Sequence, residues 1–170
     1  LAKRLSFKTS YKLLTCIANQ TYTGKLEVIV VDGHSTDQTI AVAKSFTNNI
    51  PNLTVLTATR GISHQRNQGA AKAKYPYLLF LDADVKIPKY FLQTLLKRVH
   101  PGEQFIATTN CWIAEFDILS YIAAACIYLP LLFIALTEHY VPGFLIFTTK
   151  ENHKKLHGFN EQLLINEDLD

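Results

Sequence analysis

Two carboxylates stand two residues apart, Asp82 and Asp84, at the end of the apolar run in "YPYLLFLDADVKIP". In an extended chain, residues two apart project to the same side, so this pair would converge. Convergent carboxylates suit a hard divalent cation, which takes oxygen ligands and keeps water and substrate phosphates in its remaining positions. A solvated turn at the end of a strand would read the same way, and the pair alone does not separate the two. Asp32 ends a second apolar run, "LEVIVVD". In "TRGISHQRNQGAAKA", Arg60 and Gly61 follow a third run, and Arg66 and Asn67 open a helix-like segment. Arginine suits bidentate contact with phosphate, and a helix N-terminus prefers anions. Glu167, Asp168 and Asp170 close the chain in "GFNEQLLINEDLD". Taken one at a time, each of these groups also reads as solvated surface.

What would bring them together is the order of elements. Apolar, β-branched runs at 26–32, 52–58 and 77–82 predict strands. The segments 36–47 and 62–74 between them predict helices, the first opened by a capping box with Ser35 as N-cap and Gln38 three residues on. "SYKLLTCIANQTY", 10–22, predicts a helix feeding the first strand, and "VPGFLIFTTK", 141–150, a strand after a Pro-Gly turn. Strands that are apolar throughout and alternate with helices predict an α/β fold with a mainly parallel central sheet and helices on both faces. Asp32 and Asp82 would then lie on one carboxyl edge, outside which open α/β sheets bind ligands.

The 170 residues suffice for one domain with a substantial core. With 48% hydrophobic and 18% charged residues the composition is globular, and disorder is excluded. A net charge of +3 is too small to argue for nucleic acid and is compatible with attraction to anionic lipid or a phosphorylated ligand. Cys16, Cys111 and Cys126 form no C-x-x-C pair, which points to a reduced, intracellular protein. The basic start of the chain has no apolar core of a signal peptide. No P-loop and no G-x-G-x-x-G are present, which argues against a Walker nucleoside triphosphatase and a Rossmann dehydrogenase.

The ordered set "EVIVVDGHSTDQT", "RGISHQRNQGAAKAKYPYLLFLDADV" and "HGFNEQLLINEDLD" resembles the GT-A-fold, inverting glycosyltransferases of family 2. The resemblance runs over most of the chain, which reads as a single catalytic domain, 1–170, incomplete at both ends relative to the family. It implies a nucleotide-diphospho-sugar donor lying across the carboxyl edge, with Mg²⁺ or Mn²⁺. In that likeness Asp32 lies against the nucleoside, Asp82 near the ribose, and Asp84 ligates the metal. Arg60 or Arg66 contacts the nucleotide or diphosphate. Asp168 matches the catalytic base, with Glu167 and Asp170 as supporting acids. Where the family often has a second acid after the first, this chain has Gly33. The family's usual opening strand and Asn-Glu turn are not matched by "LAKRLSFKTS".

The stretch 118–137, "ILSYIAAACIYLPLLFIALT", contains no charged residue and is long enough to cross a bilayer. One crossing would put Asp84 and Asp168 on opposite sides, so an interfacial helix, or a hairpin broken near Pro130, is expected instead, with a core helix as the alternative. Tyr121, Tyr128 and Tyr140 would be interfacial anchors, and Lys97, Arg98, Lys150, Lys154 and Lys155 lipid-facing charge. The expected place is the cytoplasmic side of the cell membrane, and the expected acceptor a sugar or a polyprenyl-linked molecule. His153 and His157 stand at i, i+4 on a lysine-rich segment and read as a solvated helix face. Trp112 reads as core or as a sugar-stacking ring, and Cys111 and Cys126 as small core residues. Two other functions fit less well. One is a non-catalytic or truncated sugar-nucleotide-binding domain. The other is a nucleotidyltransferase-like enzyme, which would want a Gly-rich basic loop after its first strand.

Overall fold

A computed structural model describes residues 7–100, 102–108 and 144–162. The element order is α1 (Phe7–Ala18), β1 (Val28–Asp32), α2 (Thr39–Ser45), β2 (Leu53–Thr57), α3 (Ile62–Lys72), β3 (Tyr77–Leu81), α4 (Phe91–Leu96), β4 (Ile106–Ala107), β5 (Leu145–Thr149) and α5 (Lys150–Lys155). The expected stretch 118–137, with Trp112, Cys111, Cys126 and the three tyrosines, lies outside the described residues. No helix among the described residues is long and apolar enough to cross a membrane.

β1 and β2 pair in parallel, with Val28 opposite Leu53 and Asp32 opposite Thr57. Side chains alternate across a strand, and the two faces of β1 are accordingly covered by different helices. Val28 and Val30 pack with Leu14 of α1 and with Ala43 and Phe46, in and just after α2. Ile29 packs on the other face with Ala70 of α3, Ala73, Leu78 and Phe80. The expected α/β layering, helices on both faces, is therefore present. β3, β5 and β4 form a second, antiparallel sheet in that order. The described strands thus comprise one parallel pair and two antiparallel pairs, because β5 runs against both β3 and β4.

α3 joins the two sheets. Its Ala70 shares a core with Ile29 of β1 and with Leu78 and Phe80 of β3. Gly69 lies so close to β1 that an added Cβ would meet Val31 Cγ2 at 3.3 Å. At the opposite end of the strands, Glu27 Oε1 accepts the backbone N–H groups of Lys74 (2.6 Å) and Tyr75 (3.1 Å).

Three expectations need correcting. Ser35 does not cap α2. Asp32 Oδ2 accepts the Ser35 N–H at 2.9 Å, and Asp37 Oδ1 accepts both the N–H and the hydroxyl of Thr39, at 3.0 and 2.6 Å. These local bonds compete with helix formation, so the helix starts at Thr39 with Gln38 as an N-cap lacking a side-chain bond. α1 ends at Ala18 and not near Tyr22. Gln20 there donates to the Pro88 carbonyl at 2.9 Å and accepts the Leu92 N–H at 3.0 Å, which draws the chain towards α4. Finally, Lys150 does not project its charge outward, since its Nζ donates to the Ala73 carbonyl. Lys97, Arg98, Lys154 and Lys155 are exposed.

Candidate active site

The carboxyl end of β3 is fixed by its neighbour. Leu81 pairs with Leu145, and the Asp82 N–H extends the ladder to the Phe144 carbonyl at 3.0 Å. The chain then turns, with the Val85 N–H on the Asp82 carbonyl at 3.1 Å. Asp82 and Asp84 therefore belong to a tight turn and not to the extended segment expected from their spacing. Asp82 is half-buried, and Arg66 Nη2 donates to its Oδ1 at 2.7 Å. Burial pushes the Asp82 carboxyl above its ordinary range. The Arg66 charge and hydrogen bond oppose that shift without overcoming it, and the Asp84 charge adds to it. Asp84 is exposed.

Arg66 was expected on the nucleotide or diphosphate. It faces Asp82, with side chains 13% and 29% exposed, and its guanidinium carbon lies 5.3 Å from the Phe159 ring centre. Arg60 is exposed, and its Nε donates to the Gly33 carbonyl at 3.3 Å. Asp32 is 3% exposed, with Oδ2 on the Ser35 N–H. Gln65, the residue before Arg66, donates from Nε2 to the Val31 carbonyl at 3.1 Å. Consecutive residues of α3 thus touch the carboxyl ends of β1 and β3, which brings Asp32 and Asp82 to one edge. At Gly33 an added Cβ would come within 2.9 Å of Gln65 Nε2, so the side of that position is filled by the Gln65 amide. Gly61 is the N-cap of α3, with a φ of 124° that suits glycine and no side-chain bond to the first turn.

Sequence reasoning missed the contacts beyond α3. Asn67 bonds both backbone groups of Phe159, and Glu161 accepts from Asn67 at 2.8 Å and pairs with His64 at 2.8 Å. The signal for this lay in Gly158, at φ 76°, which marks a turn before Phe159. Asp168, Glu167 and Asp170 lie outside the described residues.

His153 is also corrected. It is not a solvated helix residue, for its ring packs 5.6 Å from Phe80 and 5.5 Å from Phe159, and its Nε2 is buried without a partner among the described residues. His157 is exposed, as expected. Burial lowers the His153 pKa from its ordinary 6.5. The unfolded chain then takes up a proton near pH 6.5 while the folded protein does not, so stability is intact above that pH and falls as pH drops below it. His153→Phe is expected to flatten this acid limb in thermal melts between about pH 7 and 5. An unchanged limb in that variant would remove His153 as its source.

An α/β sheet carrying a carboxylate turn, two arginines and a helix N-terminus at one edge defines a class of fold that binds ligands outside its carboxyl edge. Comparison with known proteins narrows it. Residues 7–155 match the model of "Glycosyl transferase family 2", and the chain belongs to that family. It is 32% identical over 100 residues to "Uncharacterized glycosyltransferase YibD" of Escherichia coli K12, a match over 56% of this chain and 29% of the relative. It is 29% identical over 103 residues to "Uncharacterized glycosyltransferase YfnE" of Bacillus subtilis 168, over 60% of this chain and 26% of the relative. The aligned stretch is thus less than a third of either curated relative. Among solved structures, a Pyrobaculum calidifontis mannosyltransferase in complex with GDP-Man and Mn²⁺ is similar with a TM-score of 0.72 at 23% identity, over 92% of this chain and 45% of the other. S. aureus TarS 1–349 in complex with UDP gives 0.67 at 23% identity, over 95% and 49%. These likenesses show the GT-A fold.

Proposed function

We propose that this chain carries the donor-binding part of an inverting, metal-dependent glycosyltransferase that moves a sugar from a nucleoside-diphosphate carrier to an acceptor hydroxyl. The carrying observation is the β3 turn, where a half-buried, arginine-paired Asp82 stands two residues before an exposed Asp84. GDP-Man with Mn²⁺, and UDP, in the two structural neighbours support the same reading.

The residues present fit a divalent ion. Asp82 and Asp84 put two carboxylates on one turn, the oxygen ligands such an ion prefers, and water and phosphate oxygens would complete its coordination. Asp84 would hold the ion, and Asp82, steadied by Arg66, would lie nearer the ribose. A bound Mg²⁺ or Mn²⁺ would supply positive charge to the diphosphate as it leaves. Arg60 and the uncapped start of α3 offer further positive potential to the same anion. Asp32 shapes the turn against which the nucleoside lies.

The acceptor hydroxyl attacks the anomeric carbon from the face opposite the diphosphate. A new C–O bond forms as the bond to the diphosphate oxygen breaks, so the anomeric centre inverts. The hydroxyl proton passes to the Asp168 carboxylate, with Glu167 and Asp170 beside it in sequence. The acceptor we propose is a sugar or polyprenyl-linked hydroxyl at the cytoplasmic face of the membrane, which the uncharged stretch 118–137 and the exposed Lys97, Arg98, Lys154 and Lys155 would approach. Metal-dependent uptake of UDP or GDP tests the donor reading, and a protein that takes up neither has no donor site.

A further inference from the structure

The loop 158–161 has no regular secondary structure, yet it is held on α3 by one side chain. Asn67 Oδ1 accepts the Phe159 N–H at 2.9 Å, and Asn67 Nδ2 donates to the Phe159 carbonyl at 2.9 Å and to Glu161 Oε1 at 2.8 Å. Both donors and one acceptor position of the amide are thereby used, and both backbone groups of Phe159 are satisfied by a residue 92 positions earlier. Glu161 Oε2 in turn meets His64 Nδ1 one turn back on the same helix. Gly158 leaves the amide its room, because a Cβ there would come within 2.6 Å of Asn67 Oδ1.

The adjacent residue on α3 points to the donor end. Arg66 pairs with Asp82, and the Phe159 ring lies under its guanidinium and 5.1 Å from Phe80 at right angles. Neighbouring residues of one helix therefore fix both the turn after β3 and the loop from which the chain continues to Glu167 and Asp168. Water would serve the same polar groups in a half-exposed loop, so these bonds add little stability. What they add is location.

We propose that Asn67 is a positioning residue, holding the loop 158–161 so that the chain leading to Asp168 departs from a fixed point beside Asp82. This rests on the reading of Asp168 as the base. A displacement of the order of 1 Å at a reacting group costs about a hundredfold in rate, whereas the bonds of the Asn67 amide described above go to the loop and not to the donor-site groups Asp32, Arg60, Asp82 and Asp84.

The test uses the native full-length protein, with release of nucleoside diphosphate from GDP-mannose or UDP-glucose as turnover and titration of GDP or UDP with Mn²⁺ as binding. Asn67→Ala is expected to lower turnover about tenfold to a hundredfold while leaving nucleotide affinity within about twofold. Asn67→Asp keeps the acceptor, loses both donors and sets a second carboxylate against Glu161, so it should not restore turnover. Exchange of the Phe159 amide hydrogen should quicken in both variants, and Gln68→Ala, on the exposed side of α3, should alter none of the three readings. Unchanged turnover in Asn67→Ala with quickened exchange at Phe159 would overturn the proposal. So would affinity falling in step with turnover, which would put Asn67 on the donor. Should Asn67→Ala not fold, Gly158→Ala, which pushes Oδ1 away, carries the same expectations. A native protein that binds neither nucleotide overturns the donor reading and this one with it, and that missing binding distinguishes the case.

Discussion

Asp168→Asn lowers sugar transfer by about 10²- to 10⁴-fold while the donor is taken up as before. In the proposed mechanism the carboxylate receives the proton of the acceptor hydroxyl as its oxygen attacks, and an amide of the same shape has no such capacity. In the proposed site the donor would be contacted from the ends of β1 and β3 and from the start of α3, none of which the substitution changes. Whatever part of the acid limb of the rate profile comes from protonation of Asp168 should vanish with it, leaving the part due to the other carboxylates of the site. The checks are steady-state transfer rates and nucleotide titration on the same preparations. Full transfer in the variant would place the base elsewhere.

Arg66→Met is expected to destabilise the protein by about 1–2 kcal/mol, less than the cost of removing one partner of a fully buried ion pair because Asp82 keeps some contact with water. Asp82 stays half-buried without its counter-charge, and burial already pushes its carboxyl upward despite Arg66. The Phe159 ring also loses the cation 5.3 Å above it. The unfolding midpoint should fall, and adding Asp82→Asn should recover much of the loss, because the uncompensated charge is then gone. Denaturant unfolding of the parent protein and the two variants checks this. A midpoint unmoved by Arg66→Met would mean that the pair contributes nothing to stability.

The layers of the fold were legible because they rest on local patterns. The apolar runs at 26–32, 52–58 and 77–82 became β1, β2 and β3 within two residues, and the helix after Gly61 became α3. Local competition hid the start of α2. Ser35 and Gln38 have the spacing of a cap, but Asp32 and Asp37 hold the backbone in a turn first. Residue type located the acids and arginines of the edge without giving their partners. Arg66 has the chemistry for phosphate, and only the folded chain brings Asp82 to it. His153 looked solvated on a lysine-rich helix because the rings covering it, Phe80 and Phe159, come from a strand and a loop that its own neighbourhood does not show. The Asn67 contacts were invisible for the same reason, as was the antiparallel return of β5.

The central claim is a metal-assisted donor site at the β3 turn. Calorimetric titration of UDP and GDP into the native protein, with and without Mn²⁺, tests it most directly, alongside Asp84→Ala. The expected result is uptake of one of the two nucleotides that requires Mn²⁺ and is lost in Asp84→Ala, while the fold, judged by thermal melting, is kept because Asp84 is exposed. Uptake of neither nucleotide, or uptake indifferent to both Mn²⁺ and Asp84, would contradict it.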